Sequence, residues 1–356
     1  MRVYNFAAGP SMLPLEVLEE AKACLTDYNN SGMSVMELTH RGKHYEPIHN
    51  ECISLVRELL GVSDNYEVLL LQGGASTQFE AVPLNLLTSF EDKADYIVTG
   101  NFSSKAYKEA KKYGDIALAG SSEDKNYTYI PEYTVRDDAK YLHITSNNTI
   151  FGLEWKKFPD VKMPIACDMS SDIMSRKIDV DKFGVIYAGA QKNLGPAGVT
   201  LVIVRKDLLE QANPLCPSML KWALHAKNNS LYNTPPTFAI YMMMLNLRYL
   251  KKMGGVEKME KINTEKSNLL YDFIDNSGFY KNPVKKSDRS IMNVPFTTPN
   301  PDLDAACIKG AEAAGLVSLK GHRLVGGLRA SIYNAMPIEG VKALVEYLKK
   351  FEQENK

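Results

Sequence analysis

One lysine, Lys192, lies between two apolar stretches, where a charged side chain is unexpected. The segment VIYAGAQKNLGPAGVTLVIV covers residues 185–204 and carries this lysine in the Gly/Ala-rich turn at its centre. Burial of a lysine amine lowers its pKa, and a neutral amine is a nucleophile that forms Schiff bases. Taken alone, Lys192 is better explained as a strand-end lysine that extends its amine into solvent.

A carboxylate, Asp168, ends a second short apolar run, MPIACDMSS at residues 163–171. In open α/β sheets, residues just beyond the carboxyl ends of strands line the ligand crevice. An acid on one strand end and a lysine on another fit a pyridoxal phosphate site, where the carboxylate pairs with the pyridine nitrogen and the lysine holds the aldehyde carbon. By itself Asp168 would be a helix N-cap. Together with Lys192 it favours the cofactor.

A glycine-rich turn, residues 73–77 with the sequence GGAST, supplies a place for a phosphate. It follows the apolar run VLLLQ and precedes a helical pattern, so backbone N–H groups at a helix start would face the anion. Ser76 and Thr77 add hydroxyl groups. Neither G-x-x-x-x-G-K-[ST] nor G-x-G-x-x-G follows this strand, which disfavours nucleoside triphosphates and dinucleotides. As a lone feature, such a segment is more often only a turn.

Composition narrows the class of protein. The 356 residues carry 42 Lys plus Arg and 42 Asp plus Glu, a balance that argues against a nucleic-acid binder and against an acidic solvating tail. The five cysteines are scattered and never spaced as C-x-x-C, which favours a reducing cytoplasm over a disulfide or zinc framework. The N-terminal segment does not resemble a signal peptide, and the longest apolar stretch, residues 238–247, is too short to span a bilayer.

Strand-like runs alternate with amphipathic segments from residue 68 to about residue 210, which predicts a mostly parallel sheet covered on both faces. A long helical stretch over residues 238–274 then leads into a smaller α+β unit. That unit is predicted to contain strands at 290–298 and 328–333 and helices at 302–315 and 338–353. The seven runs of the first part are 68–72, 96–100, 116–120, 141–146, 164–168, 185–189 and 199–204.

With these features in place, the chain resembles the phosphoserine aminotransferase family, which belongs to class V of the fold-type I pyridoxal phosphate enzymes. The resemblance runs nearly end to end. The segments that carry it are NFAAGPSMLP (5–14), HRGK (40–43), LQGGASTQF (71–79), HITSNNTIFG (143–152), AGAQKNLGPAG (188–198), YNTPPTF (232–238) and GHRLVGGLRASIYNAMPIEGV (321–341).

The resemblance implies a fold, an activity and an assembly. We expect a mixed, mostly parallel seven-stranded sheet in a large domain (16–262) and a small α+β domain (263–356), with residues 1–15 packed on the small domain. The implied reaction transfers an amino group reversibly between O-phospho-L-serine and 2-oxoglutarate, giving 3-phosphohydroxypyruvate and L-glutamate in serine biosynthesis. Use of 4-phosphohydroxythreonine stays open. The expected protein is a cytoplasmic homodimer with active sites at the subunit interface, without a metal, nucleic acid or membrane partner.

The resemblance also assigns cofactor contacts. Lys192 matches the Schiff-base lysine and Asp168 the partner of the pyridine nitrogen. Phe102 matches the aromatic residue that stacks on the ring, where tryptophan is common in the family, so this chain offers a smaller π face. Some relatives have an arginine where this chain has Ser76. The remaining matches are Ala75, Ser76 and Gln191 at the phosphate, Thr149 at the ring hydroxyl, and Asn233 and Thr234, which reach the phosphate from the partner subunit.

Substrate contacts are assigned to cations. Arg329 matches the arginine that binds the substrate α-carboxylate, because its guanidinium fork suits a carboxylate. His322 matches a residue of the pocket for the distal anion, with Arg323 beside it as a weaker candidate. His40 and Arg41 match residues that the partner subunit adds to that pocket. The other histidines are expected to be structural.

Two other functions stay open on the sequence. A different class V activity, such as cysteine desulfuration or a broader alanine or serine transamination, would use the same cofactor residues. Desulfuration needs a reactive cysteine on a mobile loop, and the five cysteines lie in apolar or helical contexts or, for Cys216, beside a proline. A scaffold without catalysis would keep the fold and lose the chemistry, which the joint presence of Lys192, Asp168, Gln191 and Arg329 disfavours.

Overall fold

The computed structural model describes residues 2–356. Its strands are β1 Tyr4–Asn5, β2 Tyr66–Leu71, β3 Lys93–Val98, β4 Asp115–Ser121, β5 Leu142–Thr145, β6 Asn147–Asn148, β7 Leu153–Glu154, β8 Ile165–Asp168, β9 Val185–Gly189, β10 Thr200–Arg205, β11 Asn293–Phe296, β12 Leu316–Val317 and β13 Leu328–Ser331. Its α-helices are α1 Leu15–Ala23, α2 Glu46–Leu60, α3 Gly74–Leu86, α4 Asn101–Ala110, α5 Trp222–Lys227, α6 Thr237–Lys252, α7 Gly255–Ser277, α8 Pro301–Ala313 and α9 Ile338–Asn355.

The central sheet has seven strands in the order β2-β10-β9-β8-β5-β3-β4. Pairings along β9, β8, β5, β3 and β4 are parallel, whereas β10 is antiparallel to both of its neighbours. The predicted mixed, mostly parallel seven-stranded sheet is confirmed, and each strand-like run of the sequence supplies one strand.

Alternating residues of the strands face two different helix layers, as the pleat of a strand requires. Val68 and Leu70 pack in one hydrophobic core with residues of α2 and α6. Leu69 and Leu71 pack in another core with residues of α3, α4 and α5. Because both faces are covered, the strands read as continuous apolar runs in the sequence.

A further core forms around β11, β13 and helices α7, α8 and α9. Phe6 is fully buried in this core, and β1 pairs in parallel with β12, so the N-terminal segment joins the C-terminal layer. From these separate cores we propose the division into a large domain, residues 16–262, and a small domain, residues 263–356, with residues 1–15 added to the small one. Helix α7 passes through the proposed boundary.

The long helical stretch predicted over residues 238–274 is divided in the structure. Helix α6 ends at Lys252 and α7 begins at Gly255. Gly254 has a φ of 101°, a left-handed conformation that ends the first helix and that glycine adopts without strain. Across residues 2–356, no helix has the length and apolar character needed to cross a membrane.

Candidate active site

The candidate site lies at one edge of the central sheet, where parallel strands end. Turns that leave β2, β3, β5, β8 and β9 meet there, as expected for a ligand crevice in an open α/β sheet. A cavity of about 340 Å³ opens between them. Nine of the residues predicted from the sequence line it: Ala75, Ser76, Phe102, Thr149, Asp168, Gln191, Lys192, His322 and Arg329.

The amine of Lys192 points into this cavity. Its Nζ donates a hydrogen bond to Thr149 Oγ1 at 2.8 Å and lies 5.6 Å from the centre of the Phe102 ring. Burial lowers the pKa of Lys192 from 10.5 to about 8; the positive charge of Arg329 adds to this lowering, whereas Asp168 opposes it. Since a larger fraction of the amine is therefore neutral near pH 7, Lys192 is suited to act as a nucleophile and a base.

Asp168 is buried at the last position of β8. Its Oδ1 accepts hydrogen bonds from the backbone N–H of Ser170 at 2.9 Å and from the Ser170 hydroxyl at 2.6 Å. Burial raises the pKa of Asp168, and the Ser170 hydrogen bonds counteract that rise. Because both hydrogen bonds end on Oδ1, Oδ2 is available to a cationic N–H group in the cavity.

The start of α3 forms one part of the cavity lining and is suited to an anion. The helix begins after Gly73, no side chain caps its first N–H groups, and its first turn contains no acidic residue. These N–H groups and the positive end of the helix dipole therefore suit a phosphate. The Thr77 hydroxyl donates to Gly73 O at 2.7 Å, so it is used within the turn, whereas Ala75 and Ser76 line the cavity.

Arg329, on β13, is a further cation that lines the cavity. Its Nη1 donates to Thr149 O at 3.2 Å, and its Nε is buried without a hydrogen-bond partner. Within residues 2–356 no carboxylate forms a salt bridge with it, and burial lowers its pKa. A half-buried guanidinium with a free donor and no carboxylate partner is suited to an anionic ligand. His322 stands nearby, and its pKa is lowered first by burial and then by Arg329.

Five predicted residues do not line the cavity of this single chain: His40, Arg41, Asn233, Thr234 and Arg323. Arg41 and Arg323 are exposed, and the His40 Nε2 is buried without a partner. The carbonyl of Thr234 accepts a hydrogen bond from Gln72 Nε2 at 2.6 Å, which places Thr234 beside the strand that leads to the phosphate turn. Four of the five residues were assigned to the partner subunit by the resemblance, and their roles stay predictions.

Several residues around the cavity, most of them polar, were not singled out from the sequence. Ala8, Gly9, Asn147 and Ser171 line the cavity. Behind it, Ser146 donates to the carbonyl of Asp168 at 3.1 Å and to the carboxylate of Asp172, which Arg176 also contacts. Burial raises the pKa of Asp172 to about 6. The run DMSSD, residues 168–172, was the available signal, because an apolar strand that ends in mostly polar residues indicates a polar site.

These features fit pyridoxal phosphate better than a metal. In the described chain, residues 2–356, no group of three or more His, Cys, Asp or Glu side chains could hold a metal ion. A buried amine, a free carboxylate oxygen and an uncapped helix start match, respectively, an aldehyde, a pyridine nitrogen and a phosphate.

Comparison with known proteins identifies the family of this chain. The family model described as aminotransferase class-V matches residues 3–344. The chain belongs to this family. Its relatives include the phosphoserine aminotransferase of Bacillus subtilis (strain 168), which is 53% identical over 357 residues, covering 99% of each chain.

Two solved structures of this family extend the comparison to three dimensions. The phosphoserine aminotransferase from Bacillus circulans subsp. alkalophilus superposes with a TM-score of 0.97 at 49% identity, covering 100% of this chain and 99% of the other. A pyridoxal phosphate-bound phosphoserine aminotransferase from Trichomonas vaginalis gives a TM-score of 0.94 at 41% identity, covering 98% and 100%. The family resemblance inferred from the sequence and the predicted fold class are therefore confirmed.

Proposed function

We propose that this protein is a pyridoxal phosphate-dependent phosphoserine aminotransferase that acts in serine biosynthesis. It transfers an amino group reversibly between O-phospho-L-serine and 2-oxoglutarate. The observation that carries the proposal is full-length identity of about half of all residues to curated phosphoserine aminotransferases. The cavity adds the chemistry, since it combines a nucleophilic amine, a buried carboxylate and an unpaired guanidinium.

The residues that would hold the cofactor surround the cavity. Lys192 would bind its aldehyde carbon and Asp168 its ring nitrogen, while Phe102 offers a face for the ring and Thr149 a hydroxyl for the ring oxygen. The phosphate would contact Ala75, Ser76 and Gln191, with Asn233 and Thr234 of a second subunit. Pyridoxal phosphate supplies an electrophilic carbon for the amino group and a ring that withdraws electrons from the Cα–H bond.

Lys192 then serves as the proton carrier. With the cofactor bound, the neutral Nζ would take the proton from the substrate Cα and would deliver it to the former aldehyde carbon of the cofactor. The lowered pKa of about 8 keeps this amine able to accept a proton near neutral pH. Thr149 Oγ1, 2.8 Å from Nζ, holds the amine on the cavity side of its turn.

Different residues would bind the two ends of the substrate. Arg329 would bind the α-carboxylate through its guanidinium fork. His322 would contact the distal anion, together with His40 and Arg41 of the second subunit and, more weakly, Arg323. Both the phosphate of phosphoserine and the distal carboxylate of 2-oxoglutarate fit this pocket, because a bound anion favours the protonated form of His322.

The assembly that follows from these roles is a homodimer with active sites at the subunit interface. Four predicted residues, His40, Arg41, Asn233 and Thr234, do not line the cavity of their own chain. We further propose a cytoplasmic location, which the five free cysteines support, because a reducing compartment keeps thiols unpaired.

Cysteine desulfuration is not supported by the cavity. None of the five cysteines is among the residues that line it, and burial raises the pKa of Cys167, beside Asp168, well above its usual range. A protonated, buried thiol does not attack sulfur or carbon.

The deciding experiment follows the visible absorbance of the purified protein with pyridoxal phosphate. Adding phosphoserine should convert the cofactor band fully, whereas serine and alanine at the same concentration should convert it far more slowly. 4-Phosphohydroxythreonine, which also carries a distal phosphate, belongs in the same series. Equal rates with serine and phosphoserine would refute the proposed substrate.

A further inference from the structure

A second lysine, Lys266, is buried outside the cavity and has no role in the chemistry described so far. It lies on α7 with no exposed surface. Its Nζ donates hydrogen bonds to three backbone carbonyls, those of Ile332 at 3.0 Å, Tyr333 at 2.8 Å and Met336 at 3.0 Å. Burial lowers the pKa of Lys266 to about 7, and no charged neighbour contributes to the shift.

The three acceptors belong to a single turn, residues 332–336, which joins β13 to α9. An ammonium group has three N–H donors, whereas a neutral amine has two, so the complete set of hydrogen bonds requires the charged form. A methionine of similar length would fill the same space without the cost of burying a charge. What a methionine lacks is the ability to fix three carbonyls in one geometry.

The 332–336 turn contacts the segment that carries Lys192 and the segment that follows Asp168. The backbone N–H of Asn334 donates to Asn193 Oδ1 at 3.0 Å, and its side chain donates to Met174 O at 2.9 Å. Asn193 directly follows Lys192, and Met174 lies in the segment that follows Asp168. A shift of the turn would therefore move the backbone beside Lys192.

Two further contacts hold the turn in place. The Tyr333 hydroxyl donates to the carbonyl of Ala8 at 2.7 Å, and Ala8 lines the cavity. Asn263, one helical turn before Lys266, donates to Asn334 Oδ1 at 2.9 Å and to Ser175 O at 2.9 Å. Helix α7 thus holds the 332–336 turn through two buried polar side chains on one face.

We propose that Lys266 is a positioning residue for Lys192 and acts through the 332–336 turn. The inference rests on the proposed function, because it assigns Lys192 the proton transfer. The backbone of Arg329 has an anchor outside the turn, since its N–H donates to Leu319 O at 2.7 Å. Loss of Lys266 should therefore reduce kcat and leave the KM for phosphoserine unchanged.

The test uses the cofactor-loaded enzyme and the variant Lys266→Met. We expect kcat to fall about 10- to 100-fold, the size of effect that follows a displacement of about 1 Å in a catalytic group. The pH midpoint of the visible cofactor band should also move, because this band reports the group bonded to Lys192. Leu270→Ala is the matched control, as Leu270 is fully buried one turn along α7 and makes no hydrogen bond to the turn. It should lower the thermal midpoint and leave both kcat and the band midpoint at their wild-type values.

Asn334→Ala tests the same route from its other end and decides the matter if Lys266→Met does not fold. It should reduce kcat and move the band midpoint in the same direction. The proposal is overturned if either folded variant keeps wild-type kcat and band midpoint, or if Leu270→Ala changes them to the same extent. The pH midpoint of the cofactor band depends on the surroundings of Lys192 and is measured without substrate. This test therefore still applies if the proposed substrate is wrong.

Discussion

The lowered pKa of Lys192 leads to a quantitative prediction for the protein freed of cofactor. At pH 7 an amine with a pKa of about 8 is neutral in about one molecule in ten. With the usual value of 10.5, about 3 molecules in 10,000 would be neutral, so the cavity enriches the reactive form about 300-fold. Competitive acetylation at a series of pH values, read by mass spectrometry of the Lys192 peptide, measures this directly. The labelling of Lys192 should reach its midpoint near pH 8.

Two substitutions should move this midpoint in opposite directions, because the neighbouring charges have opposite effects on Lys192. Arg329→Gln removes a positive charge that lowers the pKa of Lys192, so the midpoint should rise. Asp168→Asn removes a negative charge that raises this pKa, so the midpoint should fall below the wild-type value. An exposed lysine such as Lys43 in the same digest normalises the dose of reagent. A wild-type midpoint near pH 10, or shifts of the same sign in both variants, would refute the account of burial and charge.

Three further predictions concern groups around the cavity. Gly100→Ala should destabilise the fold by about 1–3 kcal/mol in urea denaturation, because its Cβ would stand 1.6 Å from Asn148 Nδ2; an unchanged urea midpoint would contradict this. Phe102→Trp should tighten the binding of pyridoxal phosphate and Phe102→Ala should weaken it, because a larger ring buries more surface. Equilibrium dialysis measures both affinities, and equal values would rule out stacking at this position. Arg329→Lys should raise the KM for both phosphoserine and 2-oxoglutarate about 10- to 100-fold, because a lysine loses the bidentate contact worth about 1.5–3 kcal/mol. An effect on one substrate alone would argue against an α-carboxylate site.

The sheet could be predicted from the sequence because its strands, apart from the edge strand β4, are largely buried on both faces. Such strands appear as unbroken apolar runs, and β9, residues 185–189, agrees to the residue with the expected run. The two-residue pairing of β1 with β12 could not be foreseen, since two residues carry no periodicity and their partners are about 300 positions apart. The break between α6 and α7 was missed because apolar spacing continues on both sides of Gly254.

The site was predictable to the extent that its side chains follow strand ends. Asp168, Lys192 and the turn after β2 were found because small or polar residues interrupt apolar runs there. Residues contributed by loops far along the chain, such as Ala8, carried no such signal. The polar contacts behind the cavity also escaped notice, since Asp172 and Arg176 look like ordinary surface residues until the fold buries them.

The two buried lysines differ in how much of their role the sequence reveals. Lys192 is recognisable because its sequence neighbours are apolar on both sides, so any fold that buries the strands brings the amine near the interior. Lys266 sits in the polar-looking stretch EKSN, and only the helical period shows that it shares a face with buried Met259, Asn263 and Leu270. Helical periodicity places Lys266 on the buried face of α7. The absence of a carboxylate beside its amine cannot be predicted from the sequence. Periodicity can therefore predict that a lysine is buried, whereas its hydrogen-bond partners, on which a positioning role depends, come only from the three-dimensional structure.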